Sequence, residues 1–152
     1  MRVGVISDTH GLLRPEALDA LAGVRHIIHA GDIGDPAIVP RLAEIAPVTA
    51  IRGNVDTQPW AQAFPPTETV TLAGRTIHVI HDLAELALDP LAAGFDLVVY
   101  GHTHRPTVET KGGVLHLNPG SAGPRRFRLP VTLATVDLSP DAIRPELHAL
   151  VP

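Results

Sequence analysis

The sequence contains no cysteine and few aromatic residues. The lack of cysteine excludes disulfides and thiolate metal sites, and it is typical of proteins from a reducing compartment. Aromatic residues make up only 3% of the 152 residues, which argues against a nucleic-acid surface built on base stacking. The net charge is −4 and no stretch is strongly basic, so we expect no strong nucleic-acid binding surface.

Long hydrophobic segments are also missing. Met1 leads directly into the short apolar run RVGVIS, and no stretch is long enough to cross a bilayer. We therefore expect no secretory signal, no membrane contact and a cytoplasmic location.

The length of 152 residues and the apolar content of 45% predict one domain over residues 1–152 with an aliphatic core. The only cationic cluster, Arg125, Arg126 and Arg128, is interpreted as solvated surface.

The first half of the chain alternates strand and helix signals. Strands are predicted at residues 2–7, 26–30 and 48–52, and helices at residues 12–23 and 36–46, with Asp35 as the cap of the second helix. This alternation predicts a parallel βαβαβ unit. The second half has a more antiparallel pattern, which predicts two hairpins around residues 73–74 and 111–113, a short helix at 83–93, a strand at 95–100 and closing strands at 129–138 and 143–150. We expect two sheets packed face to face.

Several of the nine histidines fall in loops that follow predicted strands. Five such loops carry polar side chains: Asp8-Thr9-His10, Gly31-Asp32-Ile33-Gly34-Asp35, Gly53-Asn54-Val55-Asp56, His81-Asp82 and Gly101-His102-Thr103-His104. Sites of open α/β sheets lie at the carboxyl ends of the strands, so we expect these loops to meet. Carboxylate, imidazole and amide groups are ligands of borderline divalent metals. The remaining histidines are interpreted as ordinary core or surface residues: His26, His29, His78, His116 and His148.

In this order, the motifs resemble those of the calcineurin-like metallophosphoesterases, which are D-x-H, G-D-x-x-D, G-N-H-[DE], a histidine closing a strand, and G-H-x-H. The resemblance spans roughly residues 1–123, and the segment LNPGSAGPRR (117–126) is similar to that of the small single-domain bacterial and archaeal phosphodiesterases. It implies an α/β fold, a four-layer αββα sandwich of two mixed β-sheets flanked by helices.

The resemblance also implies two divalent metal ions bridged by Asp32, with manganese expected and iron, nickel, cobalt or zinc as alternatives. One ion would be completed by Asp8, His10 and His104, and the other by Asn54, His81 and His102. A hydroxide bridging the metals would attack the phosphorus of a small phosphodiester substrate. Asp32, Asn54 and His102 are the expected catalytic residues. Asp35, Asp56 and Asp82 are expected beside the ligands.

Two positions depart from the family pattern. Val55 replaces a histidine that is thought to protonate the leaving oxygen, so we expect activity on diesters with good leaving groups and slow turnover of alkyl monoesters. Asp82 stands where many relatives have glycine; it could bind the second metal, repel the substrate phosphate or point to solvent. Both departures favour the alternative hypothesis, a non-catalytic metal-binding scaffold like the retromer coat subunit. A homodimer is a further open interpretation.

Overall fold

A computed structural model describes all 152 residues and contains two five-stranded sheets. The strands are β1 (Arg2–Ile6), β2 (His26–His29), β3 (Val48–Ala50), β4 (Thr67–Leu72), β5 (Arg75–Ile80), β6 (Leu97–Val99), β7 (Thr107–Lys111), β8 (Val114–Asn118), β9 (Thr132–Leu138) and β10 (Ile143–Ala149). Their order is β10-β9-β1-β2-β3 in the first sheet and β4-β5-β6-β8-β7 in the second sheet. The predicted pair of sheets is confirmed.

Both sheets are mixed. In the first sheet, β1, β2 and β3 are parallel, as the strand–helix alternation predicts, and β9 and β10 add antiparallel strands. In the second sheet, β5, β6 and β8 are parallel, while β4 and β7 join as the outer strands of two hairpins. The three parallel strands lie at one edge of the first sheet and in the middle of the second sheet, and within each sheet their carboxyl ends lie on one side.

The main core lies between the two sheets. Along β1, Val3 and Val5 belong to a buried cluster that also contains Ile77 and Val79 of β5. The intervening Gly4 belongs to the opposite face, where an added Cβ would lie 2.3 Å from the Leu21 side chain. Glycine at this position allows the first helix to pack directly on the sheet.

The helices on the first sheet are shorter than predicted. They are α1 (Pro15–Ala20) and α2 (Ile38–Ala43). The expectation that Asp35 caps the second helix is wrong, because its carboxylate accepts a hydrogen bond from the Ala37 N–H at 2.8 Å in a turn ahead of the helix. Pro40 lies inside α2 and has no N–H to extend a hydrogen-bonded helix.

Only short segments pack on the outer face of the second sheet. The helix predicted at residues 83–93 is only a 3₁₀ helix at Leu83–Glu85, followed by turns that contain Pro90. Leu83 and Leu86 pack against buried side chains of that sheet. A second 3₁₀ helix spans Pro59–Ala63. The molecule is an α/β sandwich with few helices, none of them long and apolar enough to span a membrane.

Candidate metal centre

The five predicted loops bring their polar side chains together at the carboxyl ends of β1, β2, β3, β5 and β6. Two overlapping groups have ligand atoms that all lie within 4.8 Å of one another: Asp8, His10 and His104, and Asp8, Asp32 and His81. Residues separated by nearly one hundred positions therefore form one cluster. The convergence follows from topology, since the parallel strands of each sheet end on this side.

The first group surrounds one oxygen of Asp8. The Nε2 atoms of His104 and His10 lie 3.3 and 3.7 Å from Asp8 Oδ1, and they lie 3.2 Å from each other. Asp8 and His104 are buried, whereas His10 is partly exposed. The structure thus brings together the three residues that the sequence assigns to one ion.

Asp32 lies between this group and His81. Its Oδ2 is 3.1 Å from His81 Nε2 and 3.6 Å from His10 Nε2. Its Oδ1 accepts a hydrogen bond from the Val55 N–H at 3.1 Å. One carboxylate oxygen is therefore held by the backbone, and the other faces histidines from both predicted ligand sets.

Asn54 and His102 lie at the rim of the cluster. Asn54 Oδ1 is 3.2 Å from His102 Nδ1, and the His102 N–H donates to Asp8 Oδ2 at 3.2 Å. Both residues line a cavity of about 220 Å³ together with His81. The His102 side chain is 43% exposed, so a molecule in solution can reach it. All seven predicted ligands thus surround one connected site.

The donor atoms fit a divalent cation. Asp8 Oδ1 and His81 Nε2 are buried and have no hydrogen-bond partner, which is costly unless another group binds them. His81 Nδ1 lies 2.7 Å from the Ala30 carbonyl oxygen, and because a carbonyl only accepts, Nδ1 carries the proton. When the ring is neutral, as metal binding requires, Nε2 presents its lone pair toward Asp8 and Asp32.

The charges in the cluster stabilise each other electrostatically. Burial favours the neutral form of Asp8, but the nearby imidazoles of His10 and His104 outweigh it and hold the pKa of Asp8 well below its usual range. Burial likewise opposes the charged form of Asp32, yet contacts with His81 and the Val55 N–H lower the pKa of Asp32. Both carboxylates are therefore ionised and able to bind a cation at neutral pH.

The backbone of the site is unusual. Five of the predicted ligands have a positive φ: Asp8 at 55°, His10 at 45°, Asp32 at 56°, His102 at 72° and His104 at 62°. Residues other than glycine rarely adopt this region, and such positions often cluster at functional sites. The neighbouring loop leaves no room for a side chain at Gly53, since a Cβ there would lie 2.1 Å from Asp32 Oδ1. Hydrogen bonds from neighbouring loops hold these conformations in place.

The three carboxylates expected beside the ligands have different surroundings. Asp56 is buried and accepts hydrogen bonds from the N–H groups of Ile33, Gly34 and Gly53, which ties two ligand loops together. Asp82 accepts from the Ala84 N–H, and its Oδ2 lies 3.8 Å from His102 Nε2. Asp35 is exposed and its carboxylate accepts only the Ala37 N–H of its own turn, so it makes no hydrogen bond to a predicted ligand.

His29, which the sequence analysis interprets as an ordinary core or surface residue, is fully buried and has both ring nitrogens bonded. Its Nδ1 accepts from the Gly31 N–H at 3.1 Å, so Nε2 carries the proton and donates to Thr9 Oγ1 at 3.0 Å. The Thr9 hydroxyl in turn donates to the Ile33 carbonyl oxygen at 2.8 Å. His29 therefore joins the loops of Asp8 and Asp32. Its position at the end of β2 indicates that it lies near the ligand loops, but the sequence has no local signal for its bond to Thr9.

The segment after the last motif supports the same loops. The Ser121 hydroxyl donates to the Asp8 carbonyl oxygen at 3.0 Å. The Asn118 amide donates to the Gly101 carbonyl oxygen at 3.1 Å and to Thr103 Oγ1 at 3.0 Å. Ser121 of the NPGS stretch thus supports the loop of Asp8, and Asn118 supports the loop of Gly101 and Thr103.

The state of His29 predicts how stability depends on pH. Burial lowers the pKa of His29 from 6.5 to about 4. The unfolded chain binds a proton on this ring near pH 6.5 and the folded chain does not, so the free energy of unfolding falls as the pH drops from 6.5 to 4. The loss attributable to His29 is up to about 3 kcal/mol. Urea unfolding of metal-free protein at several pH values measures it.

His29→Gln provides the comparison for this prediction, because glutamine keeps one donor and one acceptor but does not titrate. The variant is expected to be less stable near pH 7 and to lose less stability on acidification than the parent protein. Equal pH dependence in the two proteins would show that His29 does not remain neutral in the folded chain.

A family model and curated relatives match this chain. Residues 1–141 match the calcineurin-like phosphoesterase superfamily domain. A probable metallophosphoesterase of Methanothermobacter thermautotrophicus is 35% identical over 133 residues, which cover 80% of this chain and 77% of the relative. The phosphodiesterase YfcE of Escherichia coli is 29% identical, with 90% of this chain and 88% of the relative covered. The chain therefore belongs to the calcineurin-like phosphoesterase superfamily.

Solved structures with the same fold include enzymes and a sorting protein. An archaeal phosphodiesterase superposes with a TM-score of 0.80 at 23% identity, covering 97% of this chain and 100% of that chain. Vps29 of Entamoeba histolytica, in complex with Zn²⁺, superposes with a TM-score of 0.75 at 22% identity, covering 99% of this chain and 100% of that chain. At these identities the likeness establishes the metallophosphoesterase fold.

Proposed function

We propose that the protein is a metal-dependent phosphodiesterase that acts on a small phosphodiester. The observation that carries this proposal is the position of Asp32, whose Oδ2 lies 3.1 Å from His81 Nε2 and 3.6 Å from His10 Nε2. A carboxylate between two sets of nitrogen and oxygen donors is suited to bind two nearby cations at once. The phosphodiesterase YfcE, a relative over most of the chain, supports the same reaction class.

The residues would divide between two divalent ions, with manganese as our first choice. One ion would be held by Asp8, His10, Asp32 and His104. The other would be held by Asp32, Asn54, His81 and His102. Ions bound there would supply Lewis acidity toward the phosphate and a water nucleophile at neutral pH.

The protein's own groups fix the geometry of this chemistry. The Val55 N–H holds Asp32 Oδ1 and directs the other oxygen to the histidines. The Ala30 carbonyl oxygen fixes the ring of His81. Asn54 and the partly exposed His102 lie where the cavity opens, so they are the ligands best placed to contact the substrate phosphate as well. We therefore propose Asp32, Asn54 and His102 as catalytic residues.

Metal removal tests the proposed function directly. Protein treated with a chelator is expected to lose hydrolysis of bis-p-nitrophenyl phosphate and to regain it when manganese is added. Elemental analysis of the reconstituted protein is expected to find about two divalent ions per chain. Hydrolysis that survives complete metal removal would contradict the proposal.

A scaffold remains the second candidate function. Two observations favour it: Val55 cannot donate a proton, and Vps29 structures share the fold at TM-scores of 0.75 and 0.76. A scaffold would bind metal tightly through the same ligands without turning over any ester. Metal-loaded protein that is inactive on a panel of diesters and monoesters would therefore favour this function over catalysis.

A further inference from the structure

The cavity beside His81 and His102 has an acidic wall. The cavity has a volume of about 220 Å³, below the range of roughly 300–1,000 Å³ typical of pockets for drug-sized ligands. Ile80 is its one hydrophobic lining residue, and no phenyl, phenol or indole ring faces it. The small volume and the polar lining therefore suit a small polar group.

Two carboxylates and one guanidinium line this cavity. The Arg52 guanidinium donates to the Phe64 carbonyl oxygen and forms no ion pair with Asp82 or Glu85. Glu85 is exposed and has no cationic partner. Asp82 Oδ1 accepts from the Ala84 N–H, which leaves Oδ2 facing His102 at 3.8 Å. The two carboxylates therefore outnumber the one guanidinium of the cavity, and neither of them is paired with a lysine or arginine.

A separate observation connects this wall to the site of the phosphate. His81 lines the same cavity, is buried, and has an Nε2 with no hydrogen-bond partner. The cavity is thus continuous with the group of residues that fits a cation. One end of the combined site is suited to a phosphate through bound cations, and the other end offers the carboxylates of Asp82 and Glu85, which no lysine or arginine pairs with.

We propose that the preferred substrate is a zwitterionic phosphodiester, one ester arm of which carries an ammonium group that lies against Asp82 and Glu85. This inference rests on the proposed phosphodiesterase function. An ammonium group complements the carboxylates, whereas a second phosphate in the same place would be repelled. The size of the cavity favours the arm of a small amino alcohol over a nucleoside.

Two substrates of equal shape test the proposal. They are p-nitrophenyl phosphorylcholine and p-nitrophenyl 3,3-dimethylbutyl phosphate, which differ by a quaternary nitrogen in place of a carbon. With the manganese-loaded enzyme, kcat/KM is expected to be about three- to tenfold higher for the choline ester, the size of effect that partly exposed charge pairs give. Added salt is expected to reduce this ratio.

Variants identify the carboxylates responsible. Asp82→Asn keeps the acceptor for the Ala84 N–H, and combined with Glu85→Gln it is expected to bring the ratio close to one. Glu85→Gln alone is expected to lower the ratio part of the way. Asp89→Asn is the matched control, since Asp89 is a carboxylate of the same loop outside this cavity, bonded to the Leu91 N–H. Its ratio is expected to stay at the parent value.

Each outcome has a distinct meaning. Equal hydrolysis of both esters by the parent enzyme would overturn this inference and leave the proposed phosphodiesterase intact. A choline preference that persists in the double variant would overturn the assignment to Asp82 and Glu85. An absence of hydrolysis of either ester by metal-loaded protein would contradict the proposed function and the inference together.

Discussion

Replacing Asp32 with asparagine is expected to reduce manganese-dependent hydrolysis of bis-p-nitrophenyl phosphate by about a thousandfold or more, because the substitution removes the anionic ligand that we propose the two ions share. The amide oxygen of asparagine can still accept the Val55 N–H that Asp32 Oδ1 accepts at 3.1 Å, so the loop is expected to keep its conformation. Its amide nitrogen would face the histidines instead of a carboxylate oxygen. Initial rates at saturating manganese measure the loss, and elemental analysis measures the metal that remains.

Asp35→Asn is the matched control, since Asp35 belongs to the same loop but is exposed and bonds only to the Ala37 N–H. This variant is expected to retain activity within about twofold of the parent, as surface substitutions away from a site usually do. Equal losses in the two variants would show that the loop as a whole matters and that Asp32 has no special role. Full activity of the Asp32 variant would contradict the proposed site.

Introducing a histidine at position 55 is expected to have the second-largest effect, this time a gain. Val55 is 47% exposed at the edge of the site, and its N–H is bonded to Asp32. An imidazole there can protonate a leaving oxygen, a contribution typically worth about 10²–10⁴-fold. Val55→His is expected to raise kcat for alkyl phosphoesters, whose leaving groups need a proton, by about a hundredfold.

Substrates with different leaving groups provide the internal comparison for this variant. Bis-p-nitrophenyl phosphate releases a stabilised phenolate, so its hydrolysis is expected to change little. Val55→Gln, which adds a polar side chain that cannot protonate a leaving group at neutral pH, is expected to leave both substrate classes near the parent rates. A Val55→His protein with no gain on alkyl esters would show that missing general-acid help is not what limits this enzyme.

Much of the fold could be predicted because its strands carry a strong local signal. The runs that became β1 and β2 are short, apolar and bounded by glycine or aspartate. Ala73 and Gly74 form the predicted turn of the hairpin of β4 and β5, with φ values of 51° and 78°. Since the polar motifs follow these strands directly, locating the strands also located the loops.

Helices were harder to predict because packing and turn geometry decide where they begin and end. The Asp35-Pro36 pair is typical of a helix start, but Asp35 bonds within a turn and α2 begins only at Ile38. Likewise, the residues after Asp82 form a single 3₁₀ helix where the sequence predicts a longer helix. A short amphipathic run has too little intrinsic helicity to fix its own length.

The seven predicted ligands meet in the structure, but three features of the site have no local signal in the sequence. The left-handed backbone at Asp8 and Asp32 depends on contacts between loops that are far apart in the chain. The hydrogen-bond chain from His29 through Thr9 becomes visible only when two loops are adjacent. The acidic wall at Asp82 and Glu85 depends on the path of a loop, and sequence periodicity does not predict that path.

Anomalous diffraction from crystals soaked in manganese is the most direct test of the central claim, which is that one carboxylate joins two cations. We expect two anomalous peaks about 3.5–4 Å apart, both in contact with the side chain of Asp32. The histidines at positions 10 and 104 are expected beside one peak, and those at 81 and 102 beside the other. A single peak, or two peaks of which neither contacts Asp32, would contradict the account.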